Sequence, residues 1–437
     1  MVSIKRASIS MDEVKKSKKI LFVDAYSASH VGNDVLLDSS IQLLSRLSGE
    51  AEYIVHAQEP ESFIESLGLD CYKSIFSDIP QGGHEFQKVL WLIGCLFFMS
   101  LQILNALTVK VPPYFLTTSK LRRQALKDVA AADIIVSIGG EMINDSFRKT
   151  LPMYMFIFWL SVKMNKKVFI FPQSIGPLNR KWTRWLTAHV LAKCTVVTAR
   201  DRVSLEELKS LGLKGAQALW SPDVGVAQRV ESIDVAEEAL MKVGVNKTDE
   251  RILIGVVVSN WIEEGILAGN YLDTLADSLV CLAKSRDIEV LFLPANMPVY
   301  GNDDADYKAA KYVEQKMGAS VITHCLKPKV YSARLYKAIT GRMDVVVSTR
   351  MHAVILSTMV GTPTVTINTQ RKLFGFMDNI GQQRLSIDIG DLTPERLMGC
   401  ILGCIDNNIE IRRELKAGNE RVTQELDRYV TELRSYI

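Results

Sequence analysis

Apolar and polar positions alternate in blocks along this chain. Short apolar runs, typical of buried strands, end at polar or glycine-rich corners, and stretches with apolar residues at helical spacing follow them. The strands predicted in this way cover residues 19–24, 51–56, 131–138, 168–171, 194–198, 251–259, 289–293 and 343–347. The main helices are predicted over residues 35–47, 271–285, 304–317, 332–340 and 409–436. Strands that alternate with helices indicate parallel sheets covered on both faces.

The alternation restarts after Pro222-Asp223, and the chain has 437 residues, which is more than one hydrophobic core usually organises. We therefore predict an α/β protein of two doubly wound, Rossmann-like domains that face each other across a cleft. The N-terminal domain covers residues 19–225 and the C-terminal domain residues 226–437. The charged C-terminal helix is expected to pack outside its domain or to cross back to the first one.

An uncharged stretch from Val89 to Val109 interrupts the first domain and has the length of a membrane-spanning helix. Its polar residues Ser100, Gln102 and Asn105 are spaced to form one stripe, which also fits a helix lying on a membrane surface or a buried insertion. A single crossing would place two parts of one domain on opposite sides of the membrane. We therefore favour an apolar helical insertion at the inner membrane surface, with burial in the core as the alternative.

Charge and cysteine spacing argue against several classes of function. The net charge of +3 is too small to suggest nucleic-acid binding. The seven cysteines are scattered without the paired spacing of a zinc site, which favours a reducing cytoplasm and no metal. The apolar run over residues 20–23 is too short for a signal peptide. These observations predict a cytoplasmic protein.

The most informative corner follows the predicted strand 343–347. Ser348, Thr349, Arg350 and His352 lie where this strand gives way to a short helix. The free N–H groups of a helix start, together with a guanidinium, favour an anion, and an imidazole beside them can transfer a proton. The alternative is that Arg350 pairs with a neighbouring carboxylate while His352 fills a hydrogen-bonded polar position.

Two other strand ends carry groups suited to a ligand. The paired glycines Gly139 and Gly140 permit close approach of the backbone to a ligand, although they are equally explained by a tight turn. Gln173 and Ser174 can hydrogen-bond a hydroxylated or carboxylated substrate, and a plain turn set by Gly176 is the alternative.

Charged residues end the remaining strands. Arg200 offers a forked guanidinium for a carboxylate or phosphate, or else an ion pair within the protein. Asp24 and Asp34 can each serve as a base, although carboxylates in such loops more often act as caps. Ser204, with Glu207 three residues later, predicts the start of the helix after Arg200.

In chain order these pieces are Asp34 in a polar glycine loop, Gly139-Gly140, Gln173-Ser174-Ile175-Gly176-Pro177, Arg200-Asp201-x-x-Ser204, Ser221-Pro222-Asp223, Ser348-x-Arg350-x-His352-Ala353, Gly361-x-Pro363, Lys372, Gly375-Phe376-Met377 and Gly381. From about Lys19 to Gly381 the series resembles the polysaccharide pyruvyl transferase family. Its most specific elements are the Arg-x-His corner and the Gln-Ser-Ile-Gly-Pro turn.

The resemblance implies a GT-B-like fold and transfer of pyruvate from phosphoenolpyruvate to two hydroxyls of a sugar, forming a ketal. It implies that Arg200, Arg350 and His352 are catalytic and donor-site residues. We expect substrate binding by Asp34, Gly139, Gly140, Gln173, Ser174, Ser348, Thr349 and Lys372. Relative to the family pattern, Glu141 replaces a usual glycine, Gly32-Asn33-Asp34 replaces Asn-x-Gly-Asp, and Ser259-Asn260 stands where an Arg is common.

The expected partners are phosphoenolpyruvate and a saccharide acceptor that we expect to be lipid-linked, with no cofactor and no metal. The protein is then a cytoplasmic enzyme that lies peripherally on the inner face of the membrane. Two alternatives remain open because fold does not fix function. One is a nucleotide-sugar-dependent glycosyltransferase of the same GT-B build, and the other is a non-catalytic scaffold of a polysaccharide assembly complex.

Overall fold

A computed structural model describes residues 17–80, 85–248, 250–259, 268–300, 305–369 and 371–437. The first lobe is built on the strands β1 (Lys18–Ala25), β2 (Ala51–Ala57), β3 (Cys71–Lys73), β4 (Ile134–Ser137), β5 (Gly140–Ile143), β6 (Lys167–Ile175), β7 (Val196–Ala199) and β8 (Leu219–Trp220). Its helices are α1 (Val31–Ser48), α2 (Pro60–Leu67), α3 (Glu85–Leu107), α4 (Lys120–Ala131), α5 (Leu151–Lys163), α6 (Lys181–Leu191) and α7 (Arg202–Ser210).

The second lobe is built on the strands β9 (Ile252–Val257), β10 (Ile288–Phe292), β11 (Ile322–Cys325), β12 (Val345–Ser348), β13 (Thr364–Asn368) and β14 (Ser386–Asp388). Its helices are α8 (Ile233–Met241), α9 (Ala268–Ala283), α10 (Ala305–Met317), α11 (Ala333–Thr340), α12 (Met351–Met359), α13 (Arg371–Asn379), α14 (Pro394–Asp406) and α15 (Asn408–Leu433).

Both sheets are parallel. The first has the strand order β3-β2-β1-β4-β6-β7-β8, with β5 paired to β6, and the second has the order β11-β10-β9-β12-β13-β14. Central strands such as β4 and β12 are buried along their whole length, because helices cover both faces of each sheet. This is the predicted pair of Rossmann-like lobes. The boundary between residues 225 and 226 stays a prediction.

The two lobes touch directly near the start of α1. The backbone of His30 pairs with that of Asn296, and Val31 N donates to Ala295 O over 2.9 Å. Nearby, the carboxylate of Asp38 in α1 accepts two hydrogen bonds from Arg334 in α11, with distances of 2.9 and 2.7 Å. These contacts hold α1 of the first lobe against the second lobe.

The C-terminal helix α15 packs on the second lobe through α12 and α14, and its end reaches the first lobe. The hydroxyls of Tyr429 and Thr198 lie 3.0 Å apart, and Lys18 Nζ donates to Ile437 O over 2.9 Å. The helix therefore ties the end of the chain to the first sheet.

The apolar insertion is the helix α3, which lies along the first lobe. A narrow stripe of it is buried, including Phe98, whose ring lies 5.8 Å from that of Phe156 in α5. The amides of Gln102 and Asn105 face the protein, where they donate to the carbonyls of Pro113 and Val111. Its large exposed apolar side chains, here called the outer face of α3, are Phe86, Val89, Leu90, Leu92, Ile93, Leu96, Phe97, Ile103, Leu104 and Leu107.

A helix on the surface of a water-soluble protein normally buries its apolar side chains and exposes its polar ones. The helix α3 departs from this arrangement. Gln102 and Asn105 are turned inward, whereas Ser100, the third residue of the predicted polar stripe, is exposed. Because most of the apolar side chains of α3 are also exposed, burial of the whole segment in the core, the alternative from the sequence, is wrong. By length and hydropathy α3 qualifies as a membrane span, with 28% of its most apolar window buried. Length and composition alone are weak evidence for a true crossing.

Candidate functional site

The carboxyl ends of β4, β6 and β7 bring together three residues that the sequence places apart. Gly139 follows β4, Gln173 lies in β6, and Arg200 follows β7. Arg200 N donates to Gln173 O over 3.1 Å. Gly139 has a φ of +96°, and a Cβ atom there would lie 2.7 Å from Pro172 O, so only glycine fits this corner.

Arg200 is the most buried cation at this edge, with a side chain that is 1% exposed. Its Nε donates to Ser174 Oγ over 3.0 Å and its Nη1 to Asp223 Oδ2 over 2.9 Å. The remaining nitrogen, Nη2, lies 3.6 Å from Glu141 Oε1. The guanidinium therefore meets several partners at once, which its planar fork makes possible and a lysine cannot copy.

Asp223 joins this arginine to the second lobe. Its Oδ1 accepts from Gly225 N over 2.8 Å, which fixes the carboxylate, and its Oδ2 lies 3.7 Å from His352 Nε2. The same carboxylate oxygen thus faces a guanidinium of the first lobe and an imidazole of the second. The structure places Arg200 and His352 in one cluster, although they are 152 positions apart along the chain.

The imidazole of His352 is neutral at pH 7. Burial lowers its pKa to about 4, and Arg200 and Arg350 add to that shift while Asp223 opposes it. The ordinary histidine pKa near 6.5, which suits proton transfer near neutral pH, does not apply to the free site. In this state His352 is a proton acceptor.

The Arg-x-His corner forms as predicted between β12 and α12. Ser348 Oγ accepts from Arg350 N over 3.0 Å, and Thr349 N donates to Val257 O over 3.0 Å. Both hydroxyl residues are buried and shape the turn. A role for Ser348 and Thr349 in substrate binding stays a prediction.

Arg350 has a partner of its own. Its Nε donates to Asp306 Oδ2 over 3.0 Å, and its Nη2 contacts Asp306 Oδ1, so the two side chains form a bidentate pair. Asp306 in α10 is fully buried. The pairing of Arg350 with a carboxylate, left open as an alternative, is therefore present, and a direct role for Arg350 in catalysis stays a prediction.

Lys372 and Glu141 close the cluster from opposite lobes. Lys372 in α13 contacts Glu141 in β5, and the same carboxylate oxygen lies 3.6 Å from Arg200 Nη2. Burial lowers the pKa of Lys372, while a carboxylate in contact favours the charged ammonium. Glu141, the departure from the family pattern, thus stands between Arg200 of the first lobe and Lys372 of the second.

Two buried nitrogens in this region have no hydrogen-bond partner among the residues that the structure describes. They are Gln173 Nε2 and His352 Nε2. Buried polar atoms are normally hydrogen-bonded, so an exception needs an explanation, and a bound ligand is a natural one. Both atoms belong to residues that the sequence singled out.

Asp34 and Gly140 lie in different settings. Asp34 in α1 is buried, and its Oδ2 accepts from Ala333 N over 2.6 Å and from Ser66 Oγ over 2.9 Å. It thereby caps α11 of the second lobe, which is the alternative that the sequence left open. Gly140, with a φ of +116°, begins β5. Substrate binding by either residue stays a prediction.

Sequence reasoning did not single out Asp223, Glu141 or Asp306 as site residues. Asp223 follows β8, so its place at a strand end was the available signal. Asn260, another departure from the family pattern, lies outside the described residues.

Within the described ranges no group of three or more His, Cys, Asp or Glu side chains is placed to hold a metal ion. That the protein works without a metal or cofactor stays a prediction.

The sequence is similar to a known protein family and to a bacterial protein of polysaccharide biosynthesis. A family model described as polysaccharide pyruvyl transferase matches residues 30–371. The amylovoran biosynthesis protein AmsJ of Erwinia amylovora is 20% identical over 444 positions, covering 92% of this chain and 96% of AmsJ.

Solved structures with the same architecture are more distant in sequence. A UDP-GlcNAc 2-epimerase from Neisseria meningitidis, bound to UDP-GlcNAc, has a TM-score of 0.56 at 12% identity and covers 95% of this chain and 98% of its own. HepE from Anabaena, in complex with UDP-glucose, has a TM-score of 0.57 at 12% identity, with 96% and 100% covered. The predicted GT-B-like fold is confirmed, and at this identity the likeness extends to fold alone.

Proposed function

Because this chain belongs to the polysaccharide pyruvyl transferase family, we propose that it transfers pyruvate from phosphoenolpyruvate to a saccharide acceptor in polysaccharide biosynthesis. The product is a ketal that bridges two hydroxyls of one sugar. The name of AmsJ, an amylovoran biosynthesis protein, supports a role in making a polysaccharide.

One observation carries the proposal: Arg200 and His352 face the same oxygen of Asp223 from opposite lobes. A guanidinium next to an imidazole is suited to a donor that carries two anionic groups and whose reaction needs a proton to move. Lys372 and the start of α12 supply further positive charge to this region.

The proposed reaction conserves every atom and proton of the donor and the acceptor. The methylene carbon of phosphoenolpyruvate gains a proton and becomes the methyl group of the ketal. The adjacent carbon forms bonds to two sugar oxygens and loses its bond to the phosphate oxygen. Of the two hydroxyl protons, one accounts for the methyl hydrogen and the other leaves with the phosphate as hydrogen phosphate. No oxidant or reductant is required.

His352 is the group that we assign to these proton transfers. It starts neutral, because burial lowers its pKa to about 4. The carboxylate and phosphate of a bound donor add negative charge beside it, which raises the pKa and lets the ring take up a proton. The imidazolium then protonates the methylene carbon and recovers a proton from the attacking hydroxyl. The cations stabilise the phosphate as it leaves.

We also propose that the outer face of α3 lies on a membrane surface. The face is apolar and contiguous along the helix, and the cationic residues Lys88 and Lys110 flank it. Exposed apolar patches of this size mark interaction sites, and basic residues at their rim favour anionic lipid headgroups. With it we propose a lipid-linked acceptor and a cytoplasmic position on the inner leaflet.

The test of the proposed function is a titration by calorimetry, followed by a turnover assay. Phosphoenolpyruvate should bind, and UDP-glucose should not. Incubation with phosphoenolpyruvate and a glycolipid extract of the source cells should release phosphate and add one pyruvyl ketal to a glycolipid, as detected by mass spectrometry. Binding of UDP-glucose with transfer of glucose would replace the proposal by the glycosyltransferase alternative, and binding of neither would favour the scaffold.

A further inference from the structure

A cavity of about 370 Å³ lies in the first lobe beside the carboxyl end of β1. Its volume falls in the range of about 300–1,000 Å³ that small-molecule sites occupy. The cavity is lined by residues of β1, β2, β5, α3, α4 and α5 together with neighbouring loops. The cluster around Asp223 contributes no side chain to its lining, so it is a separate feature of the same lobe.

The lining combines aliphatic and aromatic side chains with isolated polar groups. Phe76, Trp91 and Tyr154 supply aromatic surface, while Asp24 and Thr150 supply oxygens. Sugars are bound in this way, since their hydroxyls need hydrogen-bond partners and their C–H faces pack on aromatic rings.

Asp24, which lines the cavity, has an unusual backbone conformation and an unusual carboxyl pKa. It is a non-glycine residue with a φ of +67°, in the sparsely populated left-handed region. Removal from bulk water raises the pKa of its carboxyl to about 7, and a hydrogen bond from Ser137 opposes the shift. Tyr154 lies close enough for Asp24 to add to the rise in the tyrosine pKa that burial causes. A strained backbone and a shielded carboxyl are typical of binding sites.

The cavity is bordered both by the neighbour of Glu141 and by a residue of α3. Met142 lines it and directly follows Glu141, which meets Arg200 and Lys372. Trp91 lines it from α3, where its Nε1 donates to Asp78 Oδ1 over 2.8 Å. A molecule in the cavity therefore lies between the donor-site cations and the apolar helix.

We propose that this cavity binds a sugar of the acceptor, with the carboxyl of Asp24 accepting hydrogen bonds from sugar hydroxyls. The assignment rests on the proposed function, because it names the place where the acceptor is held. Asp24 is a binding residue in this proposal and does not take part in the proton transfers assigned to His352.

A hydrocarbon chain fits this cavity less well than a sugar does. It would take water away from the carboxyl of Asp24 and leave the hydrogen bond from Ser137 as its compensation, and an incompletely hydrogen-bonded buried carboxyl costs free energy. A sugar replaces the lost water with its own hydroxyls. The apolar carrier of a lipid-linked acceptor has the outer face of α3 available outside the cavity.

The test is saturation-transfer NMR with the methyl glycosides of glucose, galactose and mannose, and with hexanol as an apolar probe. We expect at least one glycoside to receive saturation from the wild-type protein. Met153→Trp, which fills the cavity, should abolish the transfer, and Asp24→Asn should weaken binding at least about tenfold, or ~1.4 kcal/mol. Asp133→Asn, at the opposite end of the sheet, is the matched control and should bind as the wild type does.

Binding by hexanol alone, by no glycoside, or equally by wild type and Met153→Trp would overturn the assignment. Calorimetry with phosphoenolpyruvate on the same variants separates this result from the fate of the proposed function. Both variants should bind phosphoenolpyruvate with the wild-type Kd, which also shows that they fold. If the glycosides bind and phosphoenolpyruvate does not, the cavity assignment stands while the pyruvyl transferase proposal fails.

Discussion

Gly32 of the first lobe lies directly against the imidazole of His352 in the second. A Cβ atom at position 32 would overlap Nδ1 of that ring and lie 3.1 Å from its Cε1. The helix α1, which carries Gly32, is held to the second lobe by the pairing of Asp38 with Arg334. The absence of a side chain at position 32 is thus part of what places His352 beside Asp223.

Gly32→Ala should therefore reduce turnover. The added methyl group must displace the ring of His352, since the helix that carries it is fixed between the lobes. We expect a loss of at least about tenfold in kcat, or ~1.4 kcal/mol, with folding retained. Gly399→Ala in α14 is the control, because a Cβ atom there meets no neighbour within 4 Å. Equal activity of the two variants would show that the ring tolerates the contact.

Glu141 is expected to compete with the donor. Its carboxylate contacts Lys372 and lies 3.6 Å from Arg200, so a donor anion has to displace it from both cations. Glu141→Gln removes the competing charge and keeps the shape, and it should tighten phosphoenolpyruvate binding about tenfold. Calorimetry measures the change, with Glu238→Gln in α8, whose carboxylate pairs with Lys242, as the control. Weaker binding by Glu141→Gln would mean that the carboxylate helps to hold the donor.

Donor binding should be accompanied by proton uptake. In the free protein the pKa of His352 is lowered to about 4, so the ring is neutral from pH 5 upward. A donor that raises this pKa causes the ring to take up a proton. Donor binding therefore weakens as the pH rises through the pKa that His352 has in the complex. Calorimetry at pH 6.5 in two buffers of different ionisation enthalpy measures the uptake, which His352→Gln should abolish. An unchanged uptake in that variant would assign the proton to another group.

The outer face of α3 predicts binding to anionic vesicles. The wild-type protein should float with vesicles of phosphatidylglycerol and phosphatidylethanolamine, and Leu90→Glu with Phe97→Glu should reduce the bound fraction at least about tenfold. Ile409→Glu, at an exposed apolar position on α15, is the control. A wild-type protein that ignores vesicles but forms a dimer that the double variant does not form would assign the face to a second copy of the chain.

Hydrophobic patterning predicts most of the fold because buried parallel strands are nearly continuous short apolar runs with a polar corner after each. Shorter elements are missed, such as β5, which contains no apolar run of its own. The predicted strand 131–138 includes the end of α4, since an apolar helix end and a buried strand look alike in sequence. The helix predicted to start at Ser204 begins at Arg202, because Asp201 caps it by accepting from Ser204 N.

The site is predictable where its residues follow strands, as Arg200 and His352 do. Which side chain each of these residues contacts depends on how the lobes pack, and no local sequence pattern predicts that packing. Arg200 therefore pairs with Asp223 rather than its neighbour Asp201, and Arg350 with the distant Asp306. The pKa of His352 is likewise set by burial between the lobes, which sequence alone does not reveal.

The central claim is that the imidazole of His352, next to Arg200 and Asp223, moves the protons of a pyruvyl transfer. The most direct measurement is the transfer of labelled pyruvate from phosphoenolpyruvate to glycolipids of the source cells by the wild type, His352→Gln and His324→Gln. His324 is a partly buried histidine that pairs with Glu289, well separated in the fold from Asp223. We predict a labelled ketal from the wild type and His324→Gln, and none from His352→Gln although it still binds the donor. Ketal formation by His352→Gln at the wild-type rate would contradict the account.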